Sequence, residues 1–266
     1  MKLYIKNYSS YRSDMDDIEI KKELKQRFKY DTRRQDDFIH LAVYGASLLK
    51  EKTTIEVDDE LYLTSGVGNI DVVQRTNTCI YEDKKPLKLF DFINLLGNTT
   101  SYYVASSLGI KGKNIFQISD NFTYINSLIS LYTSISNSKK SAILCSVDFV
   151  NTPDEVMKRV LGVDEDCEVV SCVTTQKFSL DSSDAIAELE FDTNTYTLED
   201  IKAQFVYNDS NLQTSFRCRG LEFDKESKMF ETSAGYAIND AMEKNRDLIY
   251  IDCFEDRYKI LKIKSL

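Results

Sequence analysis

The sequence predicts a layered α/β fold in one domain. Three observations carry this. Short apolar runs of strand type alternate with longer segments whose apolar residues recur every three or four positions. Residues 141–150, SAILCSVDFV, form a nearly continuous apolar run, as in a strand covered on both faces. No stretch rich in Pro, Gly or Ser divides the 266 residues, which hold only 9 Gly and 2 Pro. The alternation implies helices packed on a mainly parallel sheet.

The elements are read in order. Residues 1–11 partly alternate as a first strand, and residues 15–29 are charged and amphipathic. In DTRRQDDFIHLAVYGASLLKE, Phe38, Leu41, Ala42, Ala46 and Leu49 keep helical spacing, with Asp31 or Thr32 as the cap. Residues 60–65 make a strand running into Gly66-Val67-Gly68. Without a completed GxGxxG or GKS/T this reads as a turn, not a phosphate loop. A loop from Pro86 leads into a helix that stops near Gly109. NIFQI (114–118) is a short strand entering a helix marked by Phe122, Ile125, Leu128, Ile129 and Tyr132. A strand turning sharply into a helix is where many α/β enzymes hold a nucleophile. Residues 167–178 and 184–192 read as two neighbouring antiparallel strands. LEDIKAQFVY fits a helix or a strand, TSAGYAINDAME a helix, and LIYIDC with YKILKI a closing strand pair joined at FEDR.

Composition removes whole classes of function. Against 34 basic residues stand 43 acidic ones, a net charge of −9, which argues against broad nucleic-acid binding. No run approaches the roughly 18 apolar residues of a spanning helix, and the N-terminus turns polar within a few residues, so a cytoplasmic protein is expected. The six cysteines show no CxxC and read as reduced thiols in or near the core, with no metal site. His40 is the single histidine. It excludes every mechanism that needs two imidazoles, and its place among Phe38, Leu41 and Ala42 makes it a packed or half-exposed helix residue. The basic run Lys21, Lys22, Lys25, Arg27, Lys29, Arg33 and Arg34 is either a solvated helix face or a docking surface for an acidic protein. Sequons at Asn98, Asn121 and Asn208 are chance matches in a polar chain without a signal.

Five stretches in order over residues 27–192 resemble the N-terminal half of the β-ketoacyl synthases. YDTRRQDDFIHLAVYGASLL is similar to their early helix, LYLTSGVGN to a strand ending in a small-residue turn, and FINLLGNTTSYYVASSLGIKGKN to the segment where an Asn precedes an Ala-rich helix. SAILCSVD is similar to the strand after the central helix, and SLDSSDAIAELEF to the segment closing the first half. SAGYAINDAMEKNRDLIYIDCFEDRYKILKI resembles the late helix and last strand pair, with the glycine-rich turn replaced by Cys-Phe-Glu-Asp-Arg. The resemblance implies a thiolase-like layered fold over 1–266, with a complete first half (1–192) and a strongly shortened second half (193–266).

The departures decide the implied function. In the synthases a cysteine starts the central helix, whose N-terminus favours the thiolate. Counting from Gly112 places Asn121 there, and no cysteine lies within twenty residues of it. The two histidines of the family's second half are absent too. The resemblance therefore implies a subunit inactive by itself, with no catalytic residue and no cofactor, similar to the chain length factors. Such subunits pair with an active synthase in fatty-acid, polyene or polyketide-type biosynthesis and shape its acyl tunnel. Asn98, Ser119, Asn121 and Phe122 are the implied binding positions. Ile115, Phe116, Ile118 and Tyr124 are the implied interface, and an acyl carrier protein is a further partner. Two alternatives stand beside this: a self-associating structural protein that has lost its ligands, and a decarboxylase-type enzyme acting on acyl thioesters through Asn121.

Overall fold

The computed structural model describes residues 1–119, 121–151, 155, 158–159, 167–205, 211–215, 217–218, 224–225 and 228–266. Strand β1 (Lys2–Arg12) is followed by helices α1 (Ile20–Gln26) and α2 (Asp37–Lys50). Strand β2 (Glu60–Ser65) leads to α3 (Ile70–Asn77), a π-helical turn (Thr78–Glu82), α4 (Leu89–Asn94) and α5 (Gly97–Leu108). Then come β3 (Asn114–Ile118), α6 (Thr123–Ser138), β4 (Ala142–Asp148), β5 (Glu168–Val169), β6 (Cys172–Ser179) and β7 (Ala187–Phe191). The chain closes with α7 (Leu198–Gln204), β8 (Leu212–Thr214), β9 (Asp224–Lys225), β10 (Lys228–Met229), α8 (Ser233–Glu243), β11 (Leu248–Phe254) and β12 (Arg257–Ser265).

The strands show an internal duplication. One ten-stranded sheet runs β3-β2-β4-β6-β1-β7-β12-β11-β8-β9. Ranked by chain order, the first five strands lie 3-2-4-5-1, and the second five, read from their own edge, lie 3-2-4-5-1 again. The pairing senses repeat as well. In each half the third, second and fourth strands are parallel, and the fifth runs antiparallel to the fourth and the first. The halves join where Lys2–Ile5 pairs antiparallel with Ala187–Glu190. The second half is shortened, its second and third strands holding three and two residues, yet it keeps the whole strand plan.

Two expectations change. The sheet is mixed rather than mainly parallel, because the fifth strand of each repeat reverses direction. The segments 167–178 and 184–192 are not neighbours, since β1 lies between β6 and β7.

Period-two alternation places the core. Leu61, Leu63, Ile143, Cys145 and Val147 face a cluster under α2 and α5, while Tyr62, Ala142 and Leu144 face the other side. This double coverage is why β4 reads as an unbroken apolar run. Helices α6 and α8 share one cluster with residues of both half-sheets, including Leu3, Leu189, Tyr250 and Leu261, and so form the central layer. α2 starts at Asp36, whose side chain accepts from the Ile39 N–H at 3.1 Å, later than the Asp31 or Thr32 expected. His40 is buried rather than half-exposed, between the Thr32 carbonyl (3.1 Å) and Asp37 (3.3 Å). Gly109, left-handed at φ +83°, ends α5, and LEDIKAQ is helical, capped by Thr197 and Asp200. None of the six cysteines forms a disulfide. No helix among the described residues is long and apolar enough to cross a membrane.

Candidate functional site

The parallel strands β2, β3 and β4 end at one side of the sheet, where α/β folds form their crevices. The end of β3 turns into α6 within four residues. Ser119 donates its hydroxyl to the Asn121 carbonyl at 2.6 Å, Thr123 donates to the Ser119 carbonyl, and the Asn126 amide reaches the Asn121 carbonyl at 3.2 Å. Phe122 takes the left-handed conformation (φ +47°, ψ +34°) that lets the chain reverse into the helix. Such a conformation at a non-glycine residue costs roughly 1–2 kcal/mol and collects at functional positions.

The structure thus brings Ser119, Asn121 and Phe122 together in one turn. The apex of that turn is Phe122, one residue beyond the Asn121 reached by counting. Neither side chain is a nucleophile. The Phe122 ring is buried under the second repeat, with the Lys259 ammonium of β12 at 5.7 Å from its centroid. Lys259 donates to the carbonyls of Thr193 (3.2 Å) and Asn194 (3.3 Å), and burial lowers its pKa. Asn98 stands apart, exposed in the first turn of α5, where its carbonyl accepts from Ser101.

A second group, absent from the sequence reading, closes the crevice from the other side. Asp148, the last residue of β4, accepts from the Ser65 hydroxyl and Gly66 N–H at 2.9 Å each, from the Thr232 N–H at 2.9 Å and from its hydroxyl at 3.0 Å. This carboxylate therefore ties the ends of β2 and β4 to the start of α8. Thr232 is the residue before α8, but its hydroxyl goes to Asp148 instead of capping the helix. Glu231 beside it pairs with Arg217, and burial pushes its carboxyl up to about 8. Asp252 of β11 is likewise raised, to about 6, with Ser215 as a hydrogen-bond partner. Thr64-Ser65 ends β2 and Thr214-Ser215 stands at and just after the end of β8, and each serine has an aspartate of the fourth strand of its repeat as a hydrogen-bond partner. Burial and the adjacent Cys253 thiol raise Cys218 so far that it stays a neutral thiol. Among the described residues no cluster of side chains could hold a metal ion. The signal for Asp148 was present, as a carboxylate ending an apolar strand.

The edge of the sheet is the third feature. β3 pairs only with β2 among the described strands. Nine of the thirteen exposed large apolar side chains of the described residues lie in the segment from Val73 to Ile118, among them Tyr81, Leu89, Phe92 and Leu96. Ile118 is 55% exposed, while Ile115 packs on the central cluster and the Phe116 ring lies against Gly97. Tyr124 is wholly buried, so this expected interface residue belongs to the core because it faces inward on α6.

No protein-family model matches the chain, and no curated protein matches it by sequence. Solved structures do. The ishigamide ketosynthase/chain length factor superposes with a TM-score of 0.72 at 10% identity, covering 100% of both chains. The ketosynthase ApeO in complex with its chain length factor ApeC, from Xenorhabdus doucetiae, gives 0.65 at 8% identity over 98% of this chain and 99% of that one. AntDE:AntF, a type II polyketide-synthase acyl carrier protein in complex with its ketosynthase, gives 0.66 at 9% over 100% and 99%. The fold is that of the ketosynthases and chain length factors. In this thiolase-like fold the duplicated 3-2-4-5-1 sheet and its two central helices are explained together. At these identities the likeness speaks for the fold alone.

Proposed function

We propose that this chain is a chain-length-factor-like subunit that does not condense acyl groups itself. It pairs with an active β-ketoacyl synthase in fatty-acid, polyene or polyketide-type biosynthesis in the cytoplasm and forms part of the acyl tunnel wall. The observation that carries this is the elbow before α6. Asn121 and Phe122 offer neither thiol nor hydroxyl, and the Phe122 ring is covered by Lys259. The partner supplies the chemistry, and the chain supplies the β3 edge with the exposed apolar side chains of the segment from Val73 to Ile118.

An acyl carrier protein fits the basic side of the molecule. Lys21, Lys22 and Lys25 are exposed on α1, and a cleft of about 380 Å³ is lined by Tyr30, Asp31, Arg33, Arg34 and Tyr102, with Arg33 paired to Asp31. The free edge of β3 also supports a second reading, pairing with a second copy of this chain. Co-expression with a full-length synthase tests the two. A 1:1 complex supports the subunit reading, and a homodimer that ignores the synthase supports the other.

A further inference from the structure

A small two-stranded sheet lies apart from the large one. β5 of the first repeat and β10 of the second pair in parallel over two residues, Glu168 with Lys228 and Val169 with Met229, and with no other described strand. A parallel pair that short does not hold itself. Its support comes from the strand ends of the large sheet. Asp148, Cys172 and Arg12 form one row across β4, β6 and β1. Residues 228–232 cross this row. Lys228 meets Asp14 just past β1, and Thr232 gives both its donors to Asp148. Between them the Phe230 ring lies 5.2 Å from the Arg12 guanidinium and clusters with Val170 and Cys172.

Asp14 is the pin. Its carboxylate accepts from Arg12 Nε and from a terminal nitrogen of the same guanidinium at 3.1 Å each, and from Lys228 as well. Lys228 reaches on to Glu168 at 3.1 Å. Asp14 thus anchors Lys228 and also fixes the guanidinium that the rings of Tyr236 (4.4 Å) and Phe230 contact. Burial alone would raise the Asp14 carboxyl, but the hydrogen bonds from Arg12 and Lys228 win and hold it at about 2. The bases of the two short strands are tied separately. The Ser13 N–H donates to the Ser171 carbonyl at 3.0 Å and the Ser171 N–H to the Ser13 hydroxyl at 3.1 Å, while Asp148 holds Thr232.

We propose that residues 168–170 and 228–230 form a charge-pinned strap over the ends of β1 and β6, which opens as one unit when the Asp14 pin is lost while Ser171, Thr232 and the ten-stranded sheet stay in place. Closed, it leaves Cys172 wholly buried. Open, it uncovers Cys172, Val170 and Phe230 and gives the crevice at Asp148 a second mouth on the side of β1.

The test is alkylation of the full chain by iodoacetamide under native conditions, read cysteine by cysteine through peptide mass analysis. Cys145 is equally buried, but it lies in β4 within the cluster under α2, so it reacts only when the whole fold opens. Cys172 should react faster than Cys145. Asp14→Asn and Lys228→Gln should each speed Cys172 by about tenfold or more and leave Cys145 unchanged. A Cys172 rate that neither variant changes, or one that rises only in step with that of Cys145, would overturn the strap. Should Asp14→Asn fail to fold, Lys228→Gln decides alone, since it leaves the Arg12–Asp14 pair in place.

Discussion

Replacing Asp148 by alanine removes one carboxylate that satisfies four donors. Two of them, the N–H groups of Gly66 and Thr232, are fixed by the backbone and cannot turn elsewhere. The other two are hydroxyls of Ser65 and Thr232, which can rotate toward new acceptors. Leaving a buried donor unmade costs about 1–3 kcal/mol, so the two amides alone cost about 2–6 kcal/mol. A marginally stable domain has roughly 5–15 kcal/mol in total, so the variant should unfold at much lower urea concentration. Asp148→Asn should cost about half as much, because its one oxygen still accepts from one of the two backbone N–H groups while its amide nitrogen faces the other. Equilibrium urea unfolding, followed by far-UV circular dichroism, measures this. A loss below about 1 kcal/mol at unchanged m-value would refute the view that Asp148 holds α8 to the ends of β2 and β4.

Ile118→Lys places a charge on the exposed end of β3 without touching the core, and should weaken association by about tenfold or more, read by gel filtration. Unchanged association would move the interface off this edge. Incubation with an acyl thioester should leave residues 119–124 without a mass increase by peptide analysis, and neither Asn121→Cys nor Phe122→Cys should restore condensation, since no imidazole accompanies them. A single adduct within that turn would contradict the inactive elbow. Asp252 sits above its unfolded value, so its contribution to stability is present in acid and is lost as pH rises from about 4 to about 6. At about 1.4 kcal/mol per unit this amounts to at most about 3 kcal/mol, and Asp252→Asn should flatten unfolding free energy over that window. A slope equal to that of the unaltered protein would count against it.

Much of the fold was legible because its signals are local. The apolar run of β4, the helical spacing of α2 and α6, and the Gly109 stop each depend on a few adjacent residues. Strand order was not legible. That β1 lies between β6 and β7 follows from long-range pairing, such as Tyr4 with Ser179 and Lys2 with Glu190, which no local pattern encodes. The repeat was hidden because β8 and β9 are too short to show periodicity. At the candidate site, the turn from β3 to α6 was legible as a strand running into a helix, but the residue with the left-handed backbone is Phe122, one beyond the Asn121 reached by counting. Glu231 and Arg217 were invisible, since 14 residues separate them and only the fold brings them together. Tyr124 was misjudged because helical spacing shows that one face is apolar, not which layer covers it.

The central claim, that this chain is the non-condensing half of a synthase pair, is tested most directly by light scattering on a gel-filtration column. The chain is run alone over a range of concentrations and then with a full-length β-ketoacyl synthase. The account predicts one peak whose mass is the sum of one copy of each, lost on Ile118→Lys. Separate peaks at every concentration, with the chain alone a sharp monomer, would contradict it.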